Sequence, residues 1–392
     1  VFKSRDASSL AALEEALAKE QDPAVKSALE LAHASALLSS DRPDDEKLAA
    51  ISMLASTGSR DVLPMLAGAG QGSGPVADSA RRAASGIETS LAYWNALQNI
   101  WYGVSLGSVL LLAAIGLAIT FGVMGVINMA HGEMVMLGAY TTFVVQELIR
   151  GHAPWLFDAS LLIALPLAFL VAALMGMLIE RVVIRPLYGR PLETLLATWG
   201  VSLILQQSVR MIFGPTNREV GNPSWASGAF ELGQISITYN RLWLVLFSFA
   251  VFGALYLLLN KTWFGLQLRA VTQNRRMASA IGIRTPWIGA LTFAVGSGIA
   301  GIAGVGLSQI DNVSPDLGQG YSIDSFMVVV FGGVGNLWGT LVAAMTLGVV
   351  NKLLEPFAGA VLGKILVLVF IILFIQKRPR GLFALRGRFV DA

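Results

Sequence analysis

A series of long apolar runs constrains the fold of this chain more than any other feature. A helix needs about 20 apolar residues to cross the hydrocarbon core of a membrane, and seven runs in the sequence reach or approach that length. They are 99–121, 133–149, 161–181, 192–213, 241–259, 287–309 and 360–376. An eighth apolar stretch, 324–352, is interrupted by glycines, and the sequence leaves open whether it spans the membrane or re-enters. We predict an all-α, polytopic helical membrane protein of about eight transmembrane elements with broken or re-entrant helices.

Composition agrees with this prediction and divides the chain into two unlike parts. Of the 392 residues, 55% are hydrophobic and 14% are charged, whereas soluble domains carry about 25% charged residues. Residues 1–95 hold 9 Lys and Arg against 13 Asp and Glu, and residues 96–392 hold 19 against 12. The chain has no cysteine, which excludes disulfides and thiolate metal sites.

The distribution of basic residues predicts the orientation of the spans. Loops rich in Lys and Arg stay in the cytoplasm, and the basic segments here are 182–191, 260–286 and the C-terminal tail. The intervening loops 150–160, 214–240 and 310–323 are mixed or acidic. We therefore expect a multi-pass protein of the bacterial inner membrane with a periplasmic N-terminal part and a cytoplasmic C-terminus. A cleaved signal peptide before Val1 is compatible with this orientation, and the sequence leaves it open.

The N-terminal part has the pattern of short paired helices. Leu10, Leu13 and Leu17 recur at helical spacing, and Asp22-Pro23 places a proline where a second helix would begin. We predict an external HEAT-like helical domain over 1–95, and a small all-α bundle without repeat ancestry is the alternative. The remaining predicted divisions are a permease domain over 96–380, with a cytoplasmic loop at 261–286, and a basic tail over 381–392.

The segment 121–133 interrupts the apolar runs with three glycines and carries a polar cluster: Asn128, His131 and Glu133. A helix that breaks inside a membrane needs protein or water to satisfy its freed backbone groups, and transporters bind substrate at such breaks. We therefore predict that these three residues line a substrate path. A short cytoplasmic turn capped by Asn128, with a new helix at Glu133, is the alternative.

A second glycine-rich segment, 331–340, follows a similar pattern of Phe-Gly, small residues, Gly and Asn. Paired interrupted segments in corresponding halves indicate a transport site, and we expect Asn336 and Trp338 to line the same path. The sequence predicts no catalytic residues and no bound cofactor. A metal site is not predicted either, since Glu133 and His131 lack a third ligand. Two small-residue stripes, one at Gly103 and Gly107 and one from Gly296 to Ser308, predict close helix packing.

The basic loop 261–286 contains a short helical pattern with exposed apolar residues behind two arginines. The residues that we expect to contact a cytoplasmic partner are Asn274, Arg275, Arg276, Met277 and Ile281. Their spacing suits a helix that inserts into a groove on a partner protein. Contact with anionic membrane lipid is the alternative, and nucleic acid is not an expected partner.

Several of these segments together resemble the permeases of branched-chain-amino-acid-type ABC importers. The segments that carry the resemblance are 128–133, 136–140, 273–282 and 331–336. The resemblance covers residues 97–380 and implies a non-enzymatic transport subunit. It also implies three kinds of partner: a second permease subunit in a heterodimer, two cytoplasmic ATPases that hydrolyse ATP, and a periplasmic substrate-binding protein.

Two departures separate the chain from the amino-acid permeases. Glu133 stands where those usually have Asp, and a 95-residue helical extension precedes the spans. That extension, with Asn217-Arg218 and the segment 222–225, is similar to the first permease subunit of urea ABC transporters. The resemblance thus implies import of urea or a similar small amide. Branched-chain amino acid import and a stand-alone channel or ion-coupled carrier remain the alternatives.

Overall fold

The computed structural model describes residues 9–383, which lie in two compact units, Val1–Gln98 and Asn99–Ala392. Within the described residues the regular secondary structure is helical except for one short hairpin, as an all-α membrane fold requires. Most of the predicted basic tail, residues 384–392, lies outside the described residues. The prediction of an all-α polytopic protein is confirmed.

The first unit is built from four short helices and the beginning of a long one. The short helices are α1 (Leu10–Lys19), α2 (Pro23–Leu38), α3 (Asp44–Ser56) and α4 (Leu63–Ala69), and the long helix is α5 (Pro75–Met124). Pro23 stands at the first position of α2, where its missing N–H costs no hydrogen bond. The core contains Ile51, Leu54 and Leu66, which are almost completely buried. Whether these helices are HEAT-like repeats stays a prediction.

The second unit contains the rest of α5 and nine more helices. These are α6 (His131–His152), α7 (Ser160–Ile179), α8 (Pro191–Phe213), α9 (Tyr239–Lys261), α10 (Trp263–Gln273), α11 (Arg275–Ala280), α12 (Thr285–Leu307), α13 (Leu317–Gly332) and α14 (Leu337–Lys377). A π-helix, Glu180–Ile184, continues α7. Strands β1 (Ala229–Leu232) and β2 (Ile235–Thr238) form an antiparallel hairpin in the predicted outer loop.

Five of the described helical segments are long and apolar enough to cross a membrane, and they contain α5, α7, α9, α12 and α14. Helices α6 and α8 have 22 and 23 residues but are less apolar, since both bury polar side chains. The most apolar part of α5 and that of α12 are mostly buried, whereas the apolar side chains of α7, α9 and α14 are largely exposed. The exposed apolar surface is what a lipid environment requires of a membrane protein.

The two predicted small-residue stripes lie at helix contacts. A β-carbon added to Gly103 of α5 would lie 2.5 Å from Cα of Val349 on α14. One added to Gly107 would lie 2.9 Å from the carbonyl oxygen of Ala344, and one added to Gly304 of α12 would overlap the carbonyl oxygen of Val135 on α6. These contacts bring helix backbones together as small residues permit.

The interrupted stretch 324–352 consists of two helical arms, one in α13 and one in the first half of α14. The arms meet where Gly332 and Gly339 approach so closely that a β-carbon on either would overlap the other's carbonyl oxygen. Beside this break, the N–H of Phe383 donates to the carbonyl of Gly332 over 3.2 Å. A second interruption at Gly359, with φ of 77°, divides α14. The C-terminal end of α13 therefore lies next to the segment that follows α14.

Asp324 and Lys364 form an ion pair of 2.8 Å between α13 and α14. Asp324 is 7% exposed, so Lys364→Met would leave a nearly buried carboxylate without its cation. The loss is about 3–5 kcal/mol for a fully buried pair and smaller here, because the Lys364 side chain is half exposed. We expect Lys364→Met to lower the melting temperature in detergent, and Asp324→Asn in the same chain to restore part of it. Equal melting temperatures for Lys364→Met and the control Lys261→Met, at an exposed lysine that ends α9, would contradict a stabilising role.

Candidate functional site

The segment between α5 and α6 is a helix break held inside the protein. Helix α5 ends before Gly125, whose φ of 66° suits glycine. The N–H of Met129 donates to Oγ1 of Thr198 on α8 over 3.1 Å, and Oδ1 of Asn128 accepts from the N–H of Ala130 over 3.1 Å. The Asn128 hydrogen bond resembles the cap expected if this segment were a short cytoplasmic turn. However, Asn128 is 1% exposed, which agrees with a break inside a packed protein.

Glu133 lies just inside the first turn of α6 and is 1% exposed. Its Oε1 atom accepts hydrogen bonds from Oγ of Ser202 over 2.9 Å and from Nε2 of Gln206 over 2.8 Å. Both donors belong to α8. Among the described residues its second oxygen, Oε2, has no partner. The hydrogen bonds to Oε1 therefore fix the position of the carboxyl group, and Oε2 is left as an acceptor for a further hydrogen bond.

His131 begins α6 and is equally buried. Its Nε2 atom lies 2.9 Å from the carbonyl oxygen of Ala113 on α5. A carbonyl only accepts, so this nitrogen carries the proton, and in a neutral ring Nδ1 is then a bare acceptor. Nδ1 has no partner within the described part of the chain.

Two further buried groups near these residues also lack partners among residues 9–383: Nδ2 of Asn128 and the hydroxyl of Tyr140. Buried polar atoms almost always have a hydrogen-bond partner in protein or ordered water. Tyr140 follows Glu133 by seven residues, so the two lie on one face of α6. The arrangement offers hydrogen-bond donors and acceptors to a small polar molecule.

The second predicted pair, Asn336 and Trp338, lies at the start of α14. Asn336 caps α14, since its Oδ1 accepts from the N–H of Gly339 over 3.2 Å. Trp338 is 53% exposed and packs edge-on against the rings of Phe252 and Tyr256 on α9. A role for these two residues in the substrate path stays a prediction.

The two glycine-rich breaks nevertheless touch each other. A β-carbon added to Gly122 near the end of α5 would overlap Cα of Gly335, in the break between α13 and α14. Only residues without a side chain allow this approach. A movement of one break would therefore displace the backbone of the other.

The predicted partner loop forms α10 and α11. Asn274 caps α11, because its Oδ1 accepts from the N–H of Met277 over 3.0 Å. Arg276 is exposed, and Met277 and Ile281 are 61% and 72% exposed. Large apolar side chains four residues apart on an exposed helix form a face suited to a protein groove. The guanidinium of Arg275 instead lies 4.3 Å from the ring centroid of Tyr188.

Sequence reasoning missed Ser202 and Gln206, the residues that hold Glu133. A signal for them exists: Thr194, Thr198, Ser202 and Gln206 recur every four residues along α8, and all are buried. Such a polar stripe on an apolar helix indicates a face directed into the protein. Within residues 9–383, no group of three His, Cys, Asp or Glu side chains could hold a metal ion.

Comparison with known proteins defines the family. The model of the branched-chain amino acid transport system permease component matches residues 99–375, nearly all of the second unit. This chain belongs to the branched-chain amino acid permease family. The family resemblance inferred from the sequence motifs is thus confirmed, and members of the family are transport components rather than enzymes.

Relatives of known name cover the same region. The chain is 32% identical to LivH, the high-affinity branched-chain amino acid transport system permease protein of Salmonella typhimurium. The match covers 73% of this chain and 94% of that relative. BraD of Pseudomonas aeruginosa, also a high-affinity branched-chain amino acid transport system permease protein, is 30% identical over 73% of this chain and 95% of its own length. No solved structure gives a significant match.

Proposed function

We propose that this permease is one of two transmembrane subunits of an ATP-binding-cassette importer. The carrying observation is the buried helix break, where three buried polar atoms have no partner among the described residues, in a chain whose family consists of transport permeases. The proposed partners are a second permease subunit, two cytoplasmic ATPases that hydrolyse ATP, and a periplasmic substrate-binding protein. In this arrangement α11 faces the cytoplasm of a bacterial cell and the first unit lies outside its inner membrane.

We further propose urea or a similar small amide as the substrate. Urea is neutral and planar, with one carbonyl acceptor and four N–H donors. Oε2 of Glu133 and Nδ1 of His131 offer acceptors, and Nδ2 of Asn128 offers a donor. The first unit, which lies before the region shared with the relatives, supports a function that differs from theirs.

Branched-chain amino acid import is the alternative, and the names of the relatives favour it. One structural observation also favours it. Arg218 lies 5.8 Å from the ring centroid of Phe143, and its buried Nε has no partner among the described residues. An arginine N–H without a partner is a donor to which the carboxylate of an amino acid binds well.

Uptake into proteoliposomes separates these proposals. The complex of both permeases and both ATPases is reconstituted with ATP inside and the cognate binding protein outside, and labelled urea and labelled leucine are compared. We expect ATP-dependent urea uptake with leucine at the level of ADP-loaded vesicles. Uptake of leucine instead would establish the alternative. Uptake that persists without the ATPases would contradict an ATP-driven importer and leave a stand-alone channel or carrier.

The exposed face of α11 predicts where the ATPases bind. Burying an apolar side chain of this size contributes about 1.5–3 kcal/mol, so Met277→Asp with Ile281→Asp should abolish copurification of the ATPases. The control is Trp263→Ala, which alters another exposed apolar side chain, at the start of α10. Unchanged copurification of the double variant would leave α11 as a loop that contacts lipid.

A further inference from the structure

Glu180 is a buried carboxylate that the substrate path described above does not use. It begins the π-helix Glu180–Ile184, and its exposed fraction is 0%. Its Oε1 accepts a hydrogen bond from the hydroxyl of Tyr188 over 3.0 Å. Its Oε2 has no partner within the described residues. Burying a carboxylate is costly unless it is paired, and π-helices are rare and frequent at functional sites.

Tyr188 joins this carboxylate to the exposed helix α11. One side of its ring carries the Arg275 guanidinium at 4.3 Å, while its hydroxyl donates to Glu180. Burial raises the pKa of Tyr188, and the neighbouring Glu180 carboxylate raises it further, so the hydroxyl stays protonated and remains a donor. A single side chain therefore connects a surface helix with the buried end of α7.

The same point touches the end of α5. A β-carbon added to Gly289 of α12 would lie 3.0 Å from Cε of Met124, 3.3 Å from the Tyr188 hydroxyl and 3.5 Å from Oε1 of Glu180. Met124 is the last residue of α5, immediately before the break that contains Asn128. Met124 and Tyr188 also pack in one apolar cluster.

We propose that Tyr188 is a positioning residue that transmits movement of α11 through Glu180 and Met124 to the helix break. This role rests on the proposed function, because it requires an ATPase that moves α11. The π-helix supplies an element that can shift register, and the unpartnered Oε2 supplies a second position for the phenol hydrogen bond. A coupling role needs such a two-state element, and contact alone would not suffice.

Tyr188→Phe tests this role, because it keeps the ring under Arg275 and removes only the hydroxyl. Uptake and ATP hydrolysis are measured in the same proteoliposomes, with labelled urea, or labelled leucine if the wild type prefers it. We expect hydrolysis to continue while the number of molecules moved per ATP falls about fivefold or more, which is the low end of allosteric coupling. The matched control, Tyr239→Phe on α9, should keep the wild-type ratio.

Arg275→Lys is the second variant, since it changes an exposed residue and leaves the fold intact. It keeps the positive charge and loses the planar contact with the Tyr188 ring, so the ratio should again fall. An unchanged ratio in both variants, or uptake and hydrolysis that fall in proportion in Tyr188→Phe, would contradict the role. A wild-type complex without ATP-dependent uptake would instead contradict the proposed function and this role together.

Discussion

Uptake by the assembled transporter is expected to fall about tenfold or more when Glu133 is replaced by glutamine. Oε1 of Glu133 accepts hydrogen bonds from Ser202 and Gln206, and an ordinary intramolecular hydrogen bond contributes about 0.5–1.5 kcal/mol. An amide of the same shape would place its NH2 group against one of these donors, or turn it toward the position where Oε2 now presents an acceptor. Either outcome changes the hydrogen bonding at this buried position, and a loss of about 1.4 kcal/mol already corresponds to a factor of ten.

The control for this prediction is Glu193→Gln at the start of α8. Glu193 pairs with Arg190 over 3.1 Å, but both side chains are more than half exposed, and such pairs contribute little. Initial rates of labelled-solute uptake are compared at equal amounts of folded complex. A Glu133→Gln complex that transports like the Glu193→Gln complex would show that the buried carboxylate has no part in transport.

The yield of folded protein is expected to fall strongly for Gly304→Ala. The added β-carbon would overlap the carbonyl oxygen of Val135 and lie 2.7 Å from the backbone nitrogen of Ala139. Backbone atoms cannot move aside as a flexible side chain does, so α6 and α12 must separate. Overpacking costs about 1–3 kcal/mol at a well-packed site, and here it also displaces the helix that carries Glu133.

Gly253→Ala on α9 is the matched control, because a β-carbon there meets no atom within 4 Å. The monodisperse fraction in size-exclusion chromatography and the melting temperature in detergent measure the effect. Gly253→Ala should equal or exceed the wild type, since alanine favours helix over glycine by about 1 kcal/mol. Equal yields of folded protein for Gly304→Ala and Gly253→Ala would contradict the close contact between α6 and α12.

The architecture follows from sequence wherever local composition decides it. Apolar runs of membrane length predict the long helices, and the glycines near 125 and 333 predict the two breaks. The stripes at Gly103 and Gly304 predict contacts that require small residues, and the contacts are present. Asn274 stands before a helix that it caps, as its side-chain chemistry favours.

The site depends on contacts between residues far apart in the chain, and these are harder to predict. Glu133 meets Ser202 and Gln206 across about seventy positions of sequence, and only the fold brings α6 and α8 together. Asn336 was expected in the substrate path because its segment resembles the first break. In the structure its side chain caps the first turn of α14, a contact that the comparison with the first break did not predict. The π-helix at Glu180 was also not predicted, because no local sequence motif indicates it.

The central claim is that the break between α5 and α6 lines the path of the transported solute, and thiol labelling tests it most directly. The chain contains no cysteine, so Asn128→Cys introduces a single thiol at the break. Ala114→Cys serves as a control inside the packed core of α5, where Ala114 is 0% exposed. Both are labelled with a small hydrophilic thiol reagent in the assembled complex, at rest and during ATP hydrolysis.

We predict that Asn128→Cys reacts during ATP hydrolysis, that saturating urea or leucine slows the reaction, and that Ala114→Cys stays unlabelled. A thiol at position 128 that is as unreactive as the one at position 114, both at rest and during ATP hydrolysis, would contradict the account.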